Sequence, residues 1–115
     1  MIEKTVIDYL NTEGVPAYAE RPEREPAKPY IIVEKTGSSN ENHIMTATIA
    51  VQSWAQTLAE AASLNEEVKA SMEFITDLDA VSACRLTSDY NFTSTALKAY
   101  RYQAVFNITY YEEET

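Results

Sequence analysis

Residues 47–62, ATIAVQSWAQTLAEAA, contain the change from strand to helix that decides the fold. Before Trp54 the apolar side chains recur at every second position, which places them on one face of a strand: Met45, Ala47, Ile49 and Val51. After Thr57 the apolar period lengthens to that of a helix. Thr57 followed by Glu60 is a capping-box pattern, which predicts the first turn of that helix.

The only tryptophan of the chain, Trp54, falls on the opposite, more polar face of this predicted strand. It stands three residues before the helix cap, where the alternation of a strand no longer fixes side-chain direction. We therefore expect Trp54 to pack beneath the start of the helix. The alternative is that it anchors a contact between subunits, a role that tryptophan often has in interfaces.

Two helices are predicted from apolar residues with helical spacing. The helix after Thr57 continues for about 20 residues, along the stripe Ala61, Leu64, Val68, Met72 and Ile75. A helix over 2–13 is predicted from Ile2, Val6, Tyr9 and Leu10, with Gly14 as its C-terminal stop. Met72 lies within the longer stripe and is interpreted as a core residue rather than a cofactor contact.

Strands are predicted over 15–20, 30–36, 43–54, 80–90 and 100–111, where β-branched and aromatic residues cluster. The proline-rich segment 21–29 is interpreted as an extended spacer, with a docking motif as the alternative. The order helix, three strands, helix, two strands predicts one α+β domain over 1–115. We expect a mostly antiparallel sheet of four to five strands, with both helices packed on one face.

The two central strands are predicted to form a hairpin whose mobile turn, GSSNEN, starts at Gly37. The strand after this turn is on the order of 35 Å long, so we expect part of the hairpin to project beyond the domain. The last four residues, EEET at 112–115, are expected to form a solvated tail.

The last strand has a richly apolar face and a mixed face. Its apolar face carries Tyr100, Tyr102, Ala104, Phe106, Ile108 and Tyr110, and five of the eight tyrosines lie in the C-terminal third of the chain. Tyrosine is frequent in protein interfaces, but aromatic pairs also stabilise a sheet from within. Both roles are open at this point.

Residue types needed for catalysis are few. The chain has two glycines, too few for a phosphate-binding loop or a dinucleotide fingerprint. The single histidine, His43, has no partner ligand nearby and is interpreted as a polar residue at a strand start rather than a metal ligand. The single cysteine, Cys84, is expected to be a small core residue rather than a nucleophile, because no base stands beside it. No enzyme activity, metal or cofactor is predicted.

The charge of the chain excludes one large class of partner. The net charge is −9, with 18 acidic and nine basic residues, and the basic residues are scattered singly. Phosphate backbones require clustered cations, so direct nucleic-acid binding is not expected. No apolar run reaches the roughly 20 residues of a membrane helix, and the N-terminus does not resemble a secretory signal. A lone cysteine agrees with a reducing compartment.

Four stretches resemble a family of phage proteins: YIIVEKTG, HIMTATIAVQSWA, LAEAASLNEEVKASM and, most specifically, SDYNFTSTALKAYRYQAVFNITYY. The stretches follow one another between residues 30 and 111, and the resemblance as a whole covers nearly the whole chain in order, from about residue 2 to 111. They resemble the tail terminator, or tail completion, proteins of long-tailed phages, as found in prophages of Gram-positive bacteria. These proteins are encoded between the head-completion genes and the major tail protein.

The resemblance implies a structural protein with no catalysis, metal or cofactor. Its members form a ring, usually of six subunits, on the tail tube, where they stop polymerisation and meet the neck of the capsid. The implied partners are other copies of the chain, the major tail tube protein and a neck or head-completion protein. The implied locations are the host cytoplasm during assembly and the head–tail junction of the virion.

The family has few fixed functional side chains, so only candidate contact residues follow from it. They lie in the predicted turn, near the strand end and on the last strand: Glu34, Lys35, Ser39, Asn40, His43, Trp54, Tyr100 and Tyr102. The acidity is interpreted either as an ordinary solubility charge or, as we also hypothesise, as functional. Six copies at −9 carry a formal charge of −54, and an acidic lumen repels passing DNA.

Two other functions are compatible with the same residues. One is a small intracellular α+β domain that binds a ligand or regulates a partner, with the mixed sheet face as its site. The other is a neighbouring head–tail adaptor protein of similar size. Oligomeric state and the effect on tail-tube length distinguish these three functions.

Overall fold

The structure is a computed structural model that describes residues 1–24, 26, 28–94, 96 and 99–111. Its helices and strands are arranged around the strand-to-helix change at Thr57. Two helices are present, α1 (Ile2–Thr12) and α2 (Leu58–Met72), and a 3₁₀ turn spans Ile75–Asp77. The strands are β1 (Ala17–Tyr18), β2 (Tyr30–Glu41), β3 (Ile44–Ala55), β4 (Val81–Asn91) and β5 (Tyr100–Tyr111). The predicted tail, 112–115, lies outside the described residues.

The boundaries of both helices follow local sequence signals. The Thr57 hydroxyl oxygen accepts the backbone N–H of Glu60 at 3.1 Å and its hydroxyl donates to the Glu60 carboxylate at 2.9 Å, which confirms the predicted capping pattern. Gly14 follows α1 with a φ of 86°, a conformation that glycine adopts without steric cost. The predicted α2 stripe is too long by one turn, since Ile75 is buried in the 3₁₀ turn.

The five strands form one sheet in the order β1-β2-β3-β5-β4. The pairings β2–β3, β3–β5 and β5–β4 are antiparallel, and only the two-residue strand β1 runs parallel to its neighbour. The predicted α+β class, the element order and the mostly antiparallel sheet are therefore confirmed. The predicted strand 15–20 is shorter than expected, since only Ala17 and Tyr18 pair with β2.

The β2–β3 hairpin differs from its prediction. Strand β2 continues through the segment predicted as a mobile turn, with a bulge between Lys35 and Gly37 that absorbs one extra residue. The turn consists of Asn42 and His43 alone, at φ values of 52° and 67°, as in the tight hairpin turns that favour a twisted sheet. His43 is therefore a turn residue and not the start of a strand.

The hairpin also does not project beyond the sheet. Strand β5 pairs with β3 along its whole length, up to the pair Ile44 and Tyr111, and β4 reaches the same end with Val81 opposite Tyr110. Within the β2–β3 hairpin, only the two turn residues extend past the Ile44–Tyr111 pair. The prediction of a projecting hairpin was wrong, because β5 is as long as β3 and pairs with all of it.

The main core lies between the sheet and the two helices. Helix α1 contributes Ile2, Val6 and Leu10, and helix α2 contributes Leu64, Val68 and Met72, to one cluster. Facing them are the alternating side chains of the central strands: Ile31, Val33, Ala47, Ile49, Val51, Ala104, Phe106 and Ile108. Both helices therefore cover the same face, as predicted, and each buried aliphatic side chain contributes about 1.5–3 kcal/mol.

Edge strand β4 does not follow simple alternation. Register shifts occur between Val81 and Ala83 and between Leu86 and Ser88. The first shift brings Val81 into the core on the same face as Cys84, where uninterrupted alternation places it on the opposite face. The second shift turns Asp89 toward helix α2.

Asp89 ties the edge strand to helix α2. Its carboxylate accepts hydrogen bonds from Asn65 Nδ2 and from Lys69 Nζ, both at 2.6 Å. Burial opposes ionisation of Asp89, but the hydrogen bonds from Lys69 and Asn65 outweigh it and hold the pKa of Asp89 below its usual value. The hydrogen bonds to Asp89 and Glu66 raise the pKa of Lys69.

Candidate functional site: an aromatic and guanidinium array on the open sheet face

Trp54 lies on the sheet face that carries no helix, which we call the open face. The alternation of β3 continues to Ala55, so Trp54 points away from the main core and belongs to a second cluster with Tyr30, Ile32 and Ala99. Only 5% of its surface is exposed. The prediction that Trp54 packs beneath the helix start was therefore wrong, although its partners do belong to its own chain.

Aromatic stacking and a hydrogen bond position the indole ring. Trp54 is paired with Tyr30 across the β2–β3 ladder, and their rings lie 6.0 Å apart at an interplanar angle of 13°. The indole Nε1 donates to the Gln52 side-chain oxygen at 3.1 Å. The polar atom of the ring is thus satisfied although the ring is buried, as buried tryptophans require.

Two guanidinium groups contact the same indole ring. Arg101, opposite Trp54 on β5, places its Cζ 4.9 Å from the ring centroid, and Arg21 places its Cζ at 5.0 Å. Arg101 also lies 4.3 Å from the centroid of Phe92 and donates from Nε to the Phe92 carbonyl at 2.7 Å. Cation–π contacts of this kind contribute about 0.5–2 kcal/mol each, depending on desolvation.

The array extends along the open face toward both edges of the sheet. Tyr18 of β1 meets the edge of Tyr30 at 5.9 Å, and Tyr90 of β4 meets the edge of Phe92 at 6.0 Å. The rings and the guanidinium together cross the sheet from β1 to the end of β4; we define the aromatic array as Tyr18, Tyr30, Trp54, Arg101, Phe92 and Tyr90. Tyr18, Phe92 and Tyr90 are 37–41% exposed, so the array is buried at its centre and open at its ends.

Polar side chains continue the open face beside the array. Gln52 donates to the Gln103 side-chain oxygen at 3.1 Å, and Gln103 in turn donates to the Tyr90 hydroxyl. Farther along the sheet, Thr48 donates to Asn107 at 3.2 Å. These cross-strand bonds give the open face a fixed hydrogen-bonded surface next to the aromatic array.

The groups on this surface are able to contact another molecule by stacking, cation–π contact and hydrogen bonding. Elsewhere, burial raises the pKa of the Cys84 thiol to about 11, so this thiol is protonated at neutral pH and is a poor nucleophile. Cys84 lines a recess of about 80 Å³ with Met72, Leu86 and Phe106. Among the described residues, no group of three His, Cys, Asp or Glu side chains could hold a metal ion.

The structure separates the predicted contact residues into two groups. Glu34, Lys35, Ser39 and Asn40 lie along exposed β2, and His43 lies in the exposed turn. Trp54, Tyr100 and Tyr102 lie at the other end of the sheet, where Tyr100 is opposite Ala55 and Tyr102 is opposite Ser53. Tyr100 and Tyr102 share the helix-covered side with Ala104, so of this second group only Trp54 belongs to the open face.

Several residues of the array were not predicted. Tyr30 and Arg101 become neighbours of Trp54 only through the β2–β3 and β3–β5 registers, and Phe92 meets Arg101 through the backbone pairing at the end of β4. A local sequence pattern does not contain these registers. The available signal was the run Tyr100-Arg101-Tyr102, whose central residue must face away from the tyrosines. No sequence pattern indicated the contact of Arg21 with Trp54, because Arg21 lies outside the helices and strands.

None of the helices in the described part of the chain is long and apolar enough to cross a membrane. A scan of the sequence against protein-family models finds no match, and a search of curated proteins finds no similar sequence.

Proposed function

We propose that the chain is a structural protein of the head–tail junction of a long-tailed phage, where a ring of copies ends tail-tube polymerisation and joins the tail to the capsid neck. The resemblance of four stretches to tail terminator proteins motivates the proposal. The α+β fold with two helices on one side of an antiparallel sheet agrees with the fold that this resemblance implies. The implied partners are further copies, the major tail tube protein and a neck or head-completion protein.

The observation that carries the proposal is the chemical difference between the two sides of the sheet. One side is an acidic helix layer, residues 1–13 and 57–80, with nine carboxylates and two lysines. The other side is the open face, with the aromatic array and a hydrogen-bonded polar surface. A cyclic ring requires two unlike patches on each chain, because one patch meets a different patch of the next subunit.

The acidity of the chain supports the proposal that the inner wall of the ring is acidic. A ring whose inner wall is acidic repels DNA during its passage, since phosphate backbones bind through cations. The helix layer holds half of the 18 carboxylates of the chain, and we assign to the lumen the part of this layer that the neighbouring subunit leaves uncovered. A ring structure with lysines and arginines on its inner wall contradicts this assignment.

The alternative of a small-molecule binding domain has less support. The recess at Cys84 has a volume of about 80 Å³, and a recess beside Pro29 and Leu64 has about 160 Å³. Pockets for small ligands usually have volumes of roughly 300–1,000 Å³. The head–tail adaptor is distinguished from the terminator by the partner that the chain binds, which is the capsid neck rather than the tail tube.

Tube length in the electron microscope tests the proposal. The major tail protein of the same prophage is polymerised alone and with increasing amounts of the chain, and the length distribution is measured on negatively stained grids. We expect shorter tubes and a ring density at one tube end. Tyr18→Ala, which truncates an exposed residue of the array, is compared with Tyr111→Ala, which truncates an exposed tyrosine at the other end of the sheet.

The outcomes discriminate between the functions. Tubes of the same uncontrolled length with and without the chain overturn the terminator proposal. If the chain instead binds purified necks and leaves tube length unchanged, it is the adaptor. Loss of termination in Tyr18→Ala but not in Tyr111→Ala assigns the array to the ring or tube contact.

A further inference from the structure

The open face carries, around Trp54, the residue types that dominate protein interfaces. Tyr18, Phe92 and Tyr90 are 37–41% exposed, Arg21 is exposed, and Arg101 is partly exposed. Tyrosine, phenylalanine and arginine are enriched at the centres of interfaces, where lysine and carboxylates are depleted. On the paired strands the open face has only Glu34 and Glu41 as carboxylates, both away from the array.

The outer side of helix α2 has the opposite character. Glu66, Glu67 and Glu73 are exposed on this side, and the small residues Ala59, Ser63 and Ala70 are exposed on the same helix. Glu60 and Glu67 flank the recess of about 160 Å³, whose wall includes Leu64 and Pro29. Carboxylates around an apolar recess suit a guanidinium that is stacked on an aromatic ring, because its charge is paired while its face stays in apolar contact.

We infer that the open face around the aromatic array docks on the acidic outer side of helix α2 of a second copy of the chain. The inference rests on the proposed function only for the closure of the contacts into a ring. The two surfaces lie on opposite sides of one sheet, so a single molecule cannot join them to each other. Each copy therefore offers one of them to each of two neighbours.

Charge selects a head-to-tail arrangement over a twofold one. Two open faces brought together by a twofold axis place Arg21 and Arg101 near their own copies, and two helix layers place carboxylates against carboxylates. The unlike pair instead brings the guanidinium groups of the open face to the carboxylates of helix α2. The molecular extents of 44 × 25 × 24 Å give a face of about 1,000 Å², enough for the roughly 800 Å² per partner of a standard interface.

The sheet edges are less suitable for the same contact. The free edge of β4 has two register shifts, and β2 has one between Lys35 and Gly37. Bulges disrupt the regular row of backbone donors and acceptors that a further strand must pair with. The faces are therefore the surfaces on which copies meet.

A pair of charge-reversal variants tests the inference by sedimentation velocity. The ionic strength is kept low, because screening between charges is then weak, and the chain is studied at concentrations up to about 0.5 mM. The variants are Arg21→Glu on the open face and Glu67→Arg on helix α2, each checked for folding by circular dichroism. Asp79→Arg changes the net charge like Glu67→Arg but lies on an exposed turn after helix α2, outside the proposed contact, and is the matched control.

We expect the unaltered chain and the Asp79→Arg variant to associate with rising concentration. Each of the other single variants is expected to associate at least about tenfold more weakly, because like charges then face each other. An equimolar mixture of Arg21→Glu and Glu67→Arg regains association, since alternating copies pair Arg21 with Glu67 and the new glutamate with the new arginine. The double variant in one chain regains it for the same reason.

Three results overturn the inference: an unaltered chain that stays monomeric throughout, an Asp79→Arg variant as impaired as Glu67→Arg, or a mixture that fails to recover. These results are distinguishable from failure of the proposed function. A chain that shortens tail tubes but stays monomeric overturns this contact alone. A chain that associates with the expected charge dependence but leaves tubes uncontrolled overturns the tail-termination proposal alone.

Discussion

Truncation of Trp54 is expected to be among the most destabilising single changes in the chain, even though this residue lies outside the main core. A tryptophan that is 5% exposed removes on the order of 200 Å² from water, worth about 5 kcal/mol at about 25 cal/mol per Å². Alanine retains only the β-carbon, so Trp54→Ala should lower the free energy of unfolding by about 3–5 kcal/mol. That loss is a large part of the roughly 5–15 kcal/mol of a typical domain.

The assay is urea unfolding followed by far-ultraviolet circular dichroism, in which such a loss shifts the midpoint by about 1–5 M. Trp54→Phe, which keeps a ring against Tyr30 but loses the hydrogen bond to Gln52, should lose only about 1–2 kcal/mol. Phe74→Ala is the control, because Phe74 is 60% exposed and should change stability by less than about 0.5 kcal/mol. A Trp54→Ala chain within about 1 kcal/mol of the original refutes the assignment of Trp54 to a packed cluster.

Three further changes test local features of the fold, each measured by equilibrium unfolding. Asp89→Asn should lower the free energy of unfolding by about 1–2 kcal/mol at neutral pH. Because the pKa of Asp89 is lowered in the folded chain, this difference should disappear as pH falls through that pKa. A difference that does not depend on pH contradicts the ion pair with Lys69. His43→Gly should raise stability by about 0.5–1 kcal/mol, because His43 has a φ of 67° that glycine adopts freely, and a loss of stability refutes the turn geometry. Thr57→Ala should cost about 1 kcal/mol through loss of the helix cap, and an unchanged midpoint contradicts the cap.

The predicted elements that the structure confirms are those with strong local signals. The cap at Thr57, the stop at Gly14 and the alternation around Val51 depend on neighbouring residues, so a single sequence specifies them. The alternation even held through Trp54, where a departure from the strand was expected. Local patterning therefore predicted the element order and the fold class.

The hairpin turn and the array depend on pairing between distant residues. Gly37 and the polar segment after it are typical of a turn, but pairing with β3 keeps them in a strand and leaves the tight turn to Asn42 and His43. The contact of Arg101 with Trp54 requires the β3–β5 register. Register depends on which long-range pairs bury most surface, and a local pattern does not contain that information.

The position of Trp54 also gives the protein an optical reporter. It is the only tryptophan among eight tyrosines, so selective excitation of indole reads one site. Its ring lies against Tyr30 and two guanidinium groups, one of them from the 21–29 link. Displacement of Arg21, or arrival of another molecule on the open face, changes the polarity and quenching around the indole. Occupancy of the open face can therefore be followed by emission from the unlabelled chain.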